Sequence, residues 1–302
     1  MMDHILNLVS ISDSLWSHLA LDLGIAIVLL SVTKWISGKL SSVDSDEELC
    51  KRDNYAFGIS VAGRMFALTI VLSGAVISSQ ANSLQQTSIE MLLYGTLGLI
   101  LVKIGRFAND KIILDQLDKE FHIKERNISI ALVDASSAIA TAIIIRSVIL
   151  WVEGANLNAI IAIITGFLVT QAILLAMTRV YEFKFARSNQ GISLQKTLTR
   201  GQMALSIQHS GHIVSTAIAV TSAANIVQYI PTAYVSNLMG WLIVGLALTI
   251  ILQVTLAFVK YLILSGIDLV REVDLQHNVG VACIELALGV GLALVISGLL
   301  TQ

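Results

Sequence analysis

The sequence contains few charged residues, one proline and two cysteines. Only 13% of its 302 residues are charged, about half the share usual in soluble domains, which indicates a membrane protein. A single proline, Pro231, permits long uninterrupted helices, and no alternating segments of the kind that build transmembrane barrels occur. Cys50 lies in a charged loop and Cys283 in an apolar helix, so neither a structural disulfide nor a CxxC metal or redox pattern is expected.

Several functional signatures are also absent. The net charge of −2 gives no electrostatic footprint for nucleic acid, so none is expected as a partner. Asp3, Asp13 and Asp22 precede the first basic residue, Lys34, which is the wrong charge order for a cleaved signal peptide. There is no nucleotide-binding loop, HExxH, GxSxG or cysteine nucleophile. We therefore expect that the protein is not an enzyme and holds no cofactor.

Long apolar stretches dominate what is present. Hydrophobic residues make up 55% of the chain, and the mean hydropathy is +0.79. A helix needs about 20 mostly apolar residues to cross a bilayer. Eight stretches qualify, at 16–38, 54–78, 90–109, 127–151, 158–181, 202–228, 239–264 and 278–300. The sequence thus predicts an all-α polytopic membrane protein with eight transmembrane helices.

The basic residues predict the orientation of these helices. Lys and Arg occur in loops 39–53, 107–126, 182–201 and 265–277. Loops 79–89, 152–157 and 229–238 and both termini contain none. Cytoplasmic loops are the ones enriched in Lys and Arg, so both termini are expected outside the cytoplasm.

Two of the basic loops are candidate sites for a cytoplasmic protein partner. Loop 39–53 contains the acidic run SSVDSDEELCKRD. In loop 107–126, Ile113, Leu117 and Phe121 recur every four residues, as on one helix face. We expect the third span to continue as an amphipathic helix. Packing against the protein's own loops is the favoured interpretation of its apolar face, and partner docking is the alternative.

An internal repeat links the even-numbered spans. They begin NYAFGISVAGRMFA, NISIALVDASSAIA, QMALSIQHSGHIVS and NVGVACIELALGVG. Each opens with an amide side chain, at Asn54, Asn127, Gln202 and Asn278. Small residues follow four positions later (Gly58, Ala131, Ser206, Ala282) and nine positions later (Gly63, Ser136, Gly211, Ala287). The sequence therefore predicts one two-helix hairpin used four times in parallel orientation.

The opening amides and the small residues both have structural interpretations. An Asn at a helix start can accept a hydrogen bond from an orphaned backbone N–H, and we favour this capping role over ligand binding. Small residues let membrane helices approach closely. The even helices are therefore expected to be the inner ones, and association into a homo-oligomer is a further hypothesis.

The pattern resembles the bacterial inner-membrane family catalogued as domain of unknown function 350. The likeness rests on NYAFGISVAG, NISIALVDAS and NVGVACIEL, while the third hairpin departs from it with Gln202. The resemblance implies two four-helix domains in tandem, at 1–153 and 154–302, in the bacterial inner membrane. With the orientation that the basic loops predict, both termini are then expected in the periplasm. It supplies no established activity and no catalytic residues.

Five ionisable residues fall at matching depths in the even helices. Seven residues after each amide come Val61, Asp134, His209 and Glu285, and ten residues after it come Arg64, Ser137, His212 and Leu288. The first level lies about 10 Å inside the helix start. If the four helices surround a common centre, the ionisable members of this set meet there: Arg64, Asp134, His209, His212 and Glu285. Charges within a bilayer normally face an interior, a partner or water.

Three interpretations of this polar centre stay open. It can be a structural knot that fixes helix register, a proton- or cation-handling site in a transporter or channel, or a metal site. The second is favoured, with Asp134 and Glu285 exchanging protons or cations, the histidines relaying protons and Arg64 tuning the carboxylates. His209, His212, Asp134 and Glu285 suit a transition metal, but Arg64 opposes a divalent cation. The rival class is a membrane scaffold whose loops 39–53 and 107–126 bind a soluble partner.

Overall fold

The structure is a computed structural model that describes residues 13–40, 45, 47–78 and 83–301. Within these ranges it contains no strand and ten α-helices: α1 Asp13–Leu40, α2 Tyr55–Ser78, α3 Leu84–Ile112, α4 Lys119–Lys124, α5 Ile128–Trp151, α6 Leu157–Ser188, α7 Leu194–Thr199, α8 Met203–Thr221, α9 Tyr234–Ile263 and α10 Val279–Leu299. Shorter helical turns lie at Glu47–Lys51, Ser222–Asn225 and Val270–Leu275. Residues 41–44 and 46 of the candidate partner loop 39–53 are outside the described residues.

Six helices are long and apolar enough to cross a bilayer, namely α2, α3, α5, α6, α9 and α10. This identifies an integral membrane protein. The first predicted span corresponds to α1, whose apolar part is Trp16–Val32. The sixth corresponds to α8, a helix of 19 residues that carries Gln208, His209 and His212. Helices thus occupy all eight predicted positions, and six of them meet the requirement for a crossing.

The helices predicted to be inner ones form a row. Helix α2 packs against α5, α5 against α8 and α8 against α10, with the longer helices α3, α6 and α9 along the flanks. Over the described residues, α2 and α10 are not packed against each other. In its most apolar stretch α5 is 78% buried, whereas α10 is only 28% buried, no more than its hairpin partner α9. The row therefore has two open ends.

Small residues allow the inner helices to touch, as predicted. A Cβ added to Gly63 would lie 2.4 Å from the Cβ of Ala135 on the neighbouring helix. A Cβ added to Gly211 would lie 2.7 Å from the Cα of Leu286. Only glycine permits such backbone contact, which is the means by which membrane helices associate without a hydrophobic driving force between them.

The third span does not continue as an amphipathic helix, so that prediction is wrong. Helix α3 ends at Ile112, and α4 starts after Asp118, whose side chain accepts a hydrogen bond from the backbone N–H of Phe121 (3.0 Å). This cap begins a separate helix. Ile113 and Ile123 are buried in one cluster with Leu198, whereas Phe121 is exposed. Most of the segment's apolar surface thus packs against the protein itself.

Candidate functional site

All four inner helices begin with the same local structure. The residue before each opening amide has a positive φ: Asp53 (46°), Arg126 (63°), Gly201 (78°) and His277 (58°). The side-chain oxygens of three amides accept hydrogen bonds from the backbone N–H three residues later: Asn54 (3.1 Å), Asn127 (3.1 Å) and Asn278 (3.2 Å). Gln202 makes no such bond. The capping prediction is confirmed for the three asparagines.

The amide nitrogens have a second role that the sequence did not indicate. Three of them donate to a carbonyl in the short helix that precedes the next inner helix. These bonds join Asn54 to Ile123 (3.0 Å), Asn127 to Leu198 (3.1 Å) and Gln202 to Val273 (3.0 Å). Each of these three amides therefore connects its own hairpin to the next one by a hydrogen bond. This side of the molecule carries the basic connections, and we call it the basic side.

The first polar site surrounds Asp134 on α5, which is 2% exposed. Its carboxylate accepts hydrogen bonds from the Ser60 hydroxyl (2.5 Å), the Lys119 ammonium (2.7 Å) and the Arg106 guanidinium (3.2 Å). Arg64 lines the same pocket, of about 50 Å³, and donates from Nε to the Ser60 carbonyl (3.2 Å). A buried carboxylate with two cations and a hydroxyl is fully partnered.

The second polar site surrounds Glu285 on α10, which is 4% exposed. Its carboxylate forms an ion pair with Lys260 of α9 and accepts a hydrogen bond from Gln208 Nε2 of α8 (2.5 Å). Glu285 lines a cavity of about 280 Å³ that extends from Asp274, on the basic side, to Ser215. Ser215 lies thirteen residues after Gln202, so the cavity reaches about 20 Å along α8.

The two sites are built from equivalent positions of the repeat. The carboxylates, Asp134 and Glu285, each lie seven residues after the amide that begins their helix. Their hydrogen-bond donors, Ser60 and Gln208, each lie six residues after the amide of the preceding inner helix. Arg64 and His212 lie ten residues after that same amide and line the same two pockets. Each half of the chain thus builds one version of the same site.

An aromatic and imidazole group lies beside the Glu285 site. Tyr181 of α6 stacks on His212, with ring centroids 4.7 Å apart, and lies 5.2 Å from His209. Its hydroxyl donates to Gln208 Oε1 (2.5 Å), and the Gln208 amide in turn donates to Glu285. A hydrogen-bonded chain therefore runs from Tyr181 through Gln208 to Glu285.

Among the described residues, neither His209 nor His212 is bonded to a carboxylate. His212 Nε2 is 3.2 Å from the carbonyl of Met177, to which it can donate. His209 is fully buried, and within the described part of the chain neither of its ring nitrogens has a hydrogen-bond partner. The predicted proton relay through these rings has no direct connection to Glu285 here.

The five predicted residues do not share one centre, so that expectation is wrong. Arg64 and Asp134 line one pocket, and His212 and Glu285 line the other. The reason is the row arrangement, because side chains on a row of helices meet neighbour by neighbour, whereas a closed bundle would direct all of them to one axis. The ion pairs of Asp134 are with Arg106 and Lys119, and the predicted partner Arg64 instead bonds the Ser60 backbone.

The same separation affects the candidate metal ligands. Asp134 lies in a different pocket from His212 and Glu285. Among the described residues, no group of three or more His, Cys, Asp or Glu side chains is close enough to hold a metal ion.

Sequence reasoning missed the residues that partner the carboxylates. Arg106 and Lys260 are basic residues near the ends of the flanking helices. Basic residues at such positions are also expected from the orientation of the helices in the membrane, so they do not by themselves indicate a carboxylate partner. Lys119 reaches Asp134 only because helix α3 ends at Ile112 and a separate helix, α4, begins at Lys119. Ser60 and Gln208 are common polar residues, and only the repeat offset of six positions distinguishes them.

Asp274 marks the mouth of the larger cavity, outside the spanning helices. Burial raises the pKa of its carboxyl. A hydrogen bond from the Asn189 amide (2.7 Å) acts in the opposite direction, and the nearby Glu285 charge adds to the rise in the pKa of Asp274. The charge of Glu285 thus affects the protonation of the Asp274 carboxyl at the cavity mouth.

Comparison with known proteins gives one match. The family model described as Domain of Unknown Function (DUF350) matches the chain twice, over residues 10–149 and 155–300. No curated protein and no solved structure matches it.

Proposed function

The chain belongs to the DUF350 family, of which it holds two copies in tandem, and we propose that it transports protons or cations across the bacterial inner membrane. The tandem prediction is thereby confirmed, whereas transport is our proposal. We further propose that all eight long helices cross the membrane as four parallel hairpins, with the basic side in the cytoplasm and both termini in the periplasm. The excess of Lys and Arg in the four basic connections supports this orientation.

The observation that carries the transport proposal is the cavity beside Glu285. A carboxylate within a membrane helix is costly and typically marks an ion or proton pathway. Glu285 lies against about 280 Å³ of open space that begins at the basic side. The Lys260 side chain that pairs with it also lines this cavity, so it has room to move away. Glu285 therefore has an exchangeable partner.

Exchange at Glu285 is the proposed central step. In the resting arrangement the Lys260 ammonium neutralises the carboxylate. An arriving proton or monovalent cation takes the place of this ammonium, which swings into the cavity. The Gln208 amide holds the carboxylate in position throughout, and Tyr181 in turn holds Gln208. Lys260 thus acts as a built-in cation that competes with the arriving proton or cation for the Glu285 carboxylate.

The Asp134 site has a different proposed role. Its carboxylate is held by two cations and a hydroxyl, and the adjoining pocket of about 50 Å³ has little room for an ion and its water. We assign it the structural role of joining α2, α3, α4 and α5. This replaces the symmetrical roles that the sequence suggested for Asp134 and Glu285.

Flux measurements in liposomes test the proposal. Purified protein is reconstituted with a pH-sensitive dye inside, and proton, Na⁺ and K⁺ gradients are applied in turn. Glu285→Gln keeps the shape of the side chain and removes its charge, so flux is expected to fall at least tenfold. Lys260→Gln is expected to change the apparent ion affinity, because the competing cation is lost. Glu153→Gln, at an exposed loop carboxylate, is the matched control and should leave flux unchanged.

Two results would contradict transport. Wild-type protein that gives no flux above empty liposomes under any gradient removes the proposal. Unchanged flux in Glu285→Gln, with normal amounts of folded protein, removes the mechanism.

A scaffold function is the second candidate, supported by one exposed side chain. Phe121 is 56% exposed on the basic side, although Ile113, Leu114 and Ile123 of the same segment are buried. Deleting the segment 111–123 would also remove Lys119 from Asp134, so a point change is the cleaner test. Phe121→Ser should abolish retention of a soluble partner in pull-down experiments while the membrane fold persists. This candidate fails if the wild type retains no partner.

A further inference from the structure

The inner helices meet through two kinds of junction. Within each half, α2 with α5 and α8 with α10, a polar donor meets a carboxylate. Between the halves, α5 meets α8 through apolar and small residues. Val133 is buried there, the Ser210 hydroxyl donates to the Leu132 carbonyl (3.4 Å), and the Ser147 hydroxyl donates to the Thr221 carbonyl (3.1 Å). We call this uncharged contact between α5 and α8 the inter-copy junction.

Helix α10 carries the α5 side of this junction a second time. It is the last inner helix of the second copy, as α5 is of the first. The positions of Leu132, Val133, Ser136 and Ser147 correspond, counted from the helix-start amides, to Cys283, Ile284, Ala287 and Gly298. On α10 all four are exposed, with Ile284 at 45%, whereas Val133 on α5 is 1% exposed. The same surface is thus covered in one copy and uncovered in the other.

Helix α2 carries the α8 side of the junction a second time. The positions of Ser210 and Thr221 correspond to Ala62 and Ser73, and both are exposed. None of these six residues on the two uncovered surfaces carries a charge. The row of inner helices therefore ends, on each side, in one half of a junction that already exists inside the chain.

The closest contact of each junction supports this correspondence. In the two junctions within the halves, the residue nine positions after one amide contacts the residue eight positions after the next: Gly63 with Ala135, and Gly211 with Leu286. The matching positions of the inter-copy junction are Ser136 and Ser210, which are both small. The unused positions at the two ends are Ala287 and Ala62, which are also small. A fourth junction of this kind would therefore meet no steric obstacle at its centre.

We propose that α10 of one chain packs against α2 of a second copy of the same chain and thereby repeats the inter-copy junction. Close packing of small residues drives such contacts in a bilayer. Gly298 lacks the hydroxyl of Ser147, so that hydrogen bond is not repeated and packing alone acts at this end. The two surfaces differ, so the contact is head-to-tail and generates a closed ring or an open row of chains. The proposal is independent of any transport activity.

Cysteine cross-linking tests the contact, because Cys283 occupies the place of Leu132 opposite Ser210. In a Cys50→Ser background, Ala62→Cys places a second thiol where Ser210 would lie. Membranes containing this variant are treated with copper phenanthroline, which oxidises neighbouring thiols to a disulfide. Each chain has both surfaces, so we expect a ladder of dimers, trimers and larger species. The Cys50→Ser parent, which has Cys283 alone, should stay monomeric on the gel.

A matched control separates the contact from random collision. Phe258 is 61% exposed on α9, two residues from Lys260 and thus near the depth of Glu285. Phe258→Cys combined with Ala62→Cys and Cys283→Ser should cross-link at least tenfold less. Equal cross-linking in this control, a product that stops at the dimer, or cross-linking of Cys283 in the parent would each overturn the proposal.

A second variant blocks the contact without cysteine chemistry. Ala287→Trp fills the small position at the centre of the proposed junction, and Phe258→Trp is its control on a flanking helix. Single-molecule photobleaching in native nanodiscs should show multiple copies for the wild type and for Phe258→Trp. It should show single copies for Ala287→Trp. Single copies for the wild type, or an unchanged copy number for Ala287→Trp, would overturn the proposal.

Discussion

Asp134 and Glu285 occupy the same repeat position and yet have different surroundings. The first is held by Lys119, Arg106 and Ser60, whereas the second has one basic partner and a cavity beside it. A buried charge that loses its partner is destabilising because its desolvation is no longer compensated. Removal of the two carboxylates should therefore have unequal effects on stability.

Asp134→Asn is expected to destabilise the folded protein by about 3–5 kcal/mol, because it leaves two cations without their shared carboxylate. Glu285→Gln should cost less, since Lys260 can move into the cavity and regain water. Thermal unfolding of both variants in the same detergent measures the difference. Equal losses of stability would contradict the distinction between Asp134, with two cationic partners, and Glu285, with one cationic partner and a cavity beside it.

Glu48 provides a pH dependence on the basic side. The Asn54 amide (2.8 Å) and the Arg52 guanidinium (2.8 Å) donate to this buried carboxylate and hold its pKa below the ordinary value, against the effect of burial. A lowered folded-state pKa contributes stability above the unfolded-state pKa of about 4.3 and loses it as pH falls through the folded value.

The wild type should therefore be more stable than Glu48→Gln at neutral pH, and this advantage should shrink as pH falls below about 4. Unfolding followed by circular dichroism from pH 7 to pH 3 measures it. Glu153→Gln, at an exposed carboxylate, should track the wild type throughout. An advantage that does not change with pH would show that the charge of Glu48 is not the cause.

At the scale of elements, the row of inner helices depends on contacts between backbones. Gly63 lies in direct contact with Ala135, and Gly211 with Leu286, at matching places in the two halves. By contrast, Gly24 on α1 has no atom within 4 Å of the place where a Cβ would stand. The two kinds of glycine should respond oppositely to the same substitution.

Gly63→Ala should destabilise the protein by about 1–3 kcal/mol, because the new methyl group forces α2 and α5 apart. Gly24→Ala should be neutral or stabilising by up to about 1 kcal/mol, since alanine is the better helix former. Denaturation in mixed detergent micelles compares the two. A stabilising effect at Gly63 would mean that the helices are not in backbone contact there.

At the scale of the whole molecule, the two copies of the family domain are joined side by side through α5 and α8. The predicted domain boundary between residues 153 and 154 falls in the connection between Trp151 and Leu157, and it stays a prediction. A hydrogen bond from a helix-start amide crosses this boundary on the basic side, since the Asn127 side chain of the first copy donates to the Leu198 carbonyl of the second.

Orientation in the membrane is tested with Cys50, an exposed thiol on the basic side. In a Cys283→Ser background, a membrane-impermeant maleimide should label Cys50 in inverted vesicles and leave it unlabelled in intact spheroplasts. The reason is the retention of loops rich in Lys and Arg on the cytoplasmic side. Labelling in spheroplasts would place the basic side outside and reverse the proposed topology.

The sequence by itself determined which segments are helices, where the inner helices begin and which residues are small enough for contact. These properties are local, because apolar length, helix caps and glycine contacts depend on neighbours along the chain or on a repeat offset. Asn54, Asn127 and Asn278 act as the caps that their positions predicted.

Only the tertiary structure decided which ionisable groups meet. The same offsets suit a closed bundle or a row, and the choice between them depends on how helices far apart in sequence pack. In the row, Asp134 and Glu285 are separated, Arg106, Lys119 and Lys260 become their partners, and one carboxylate keeps open space beside it. Charges pair with whatever the packing brings within reach, and a one-dimensional pattern does not contain that distance.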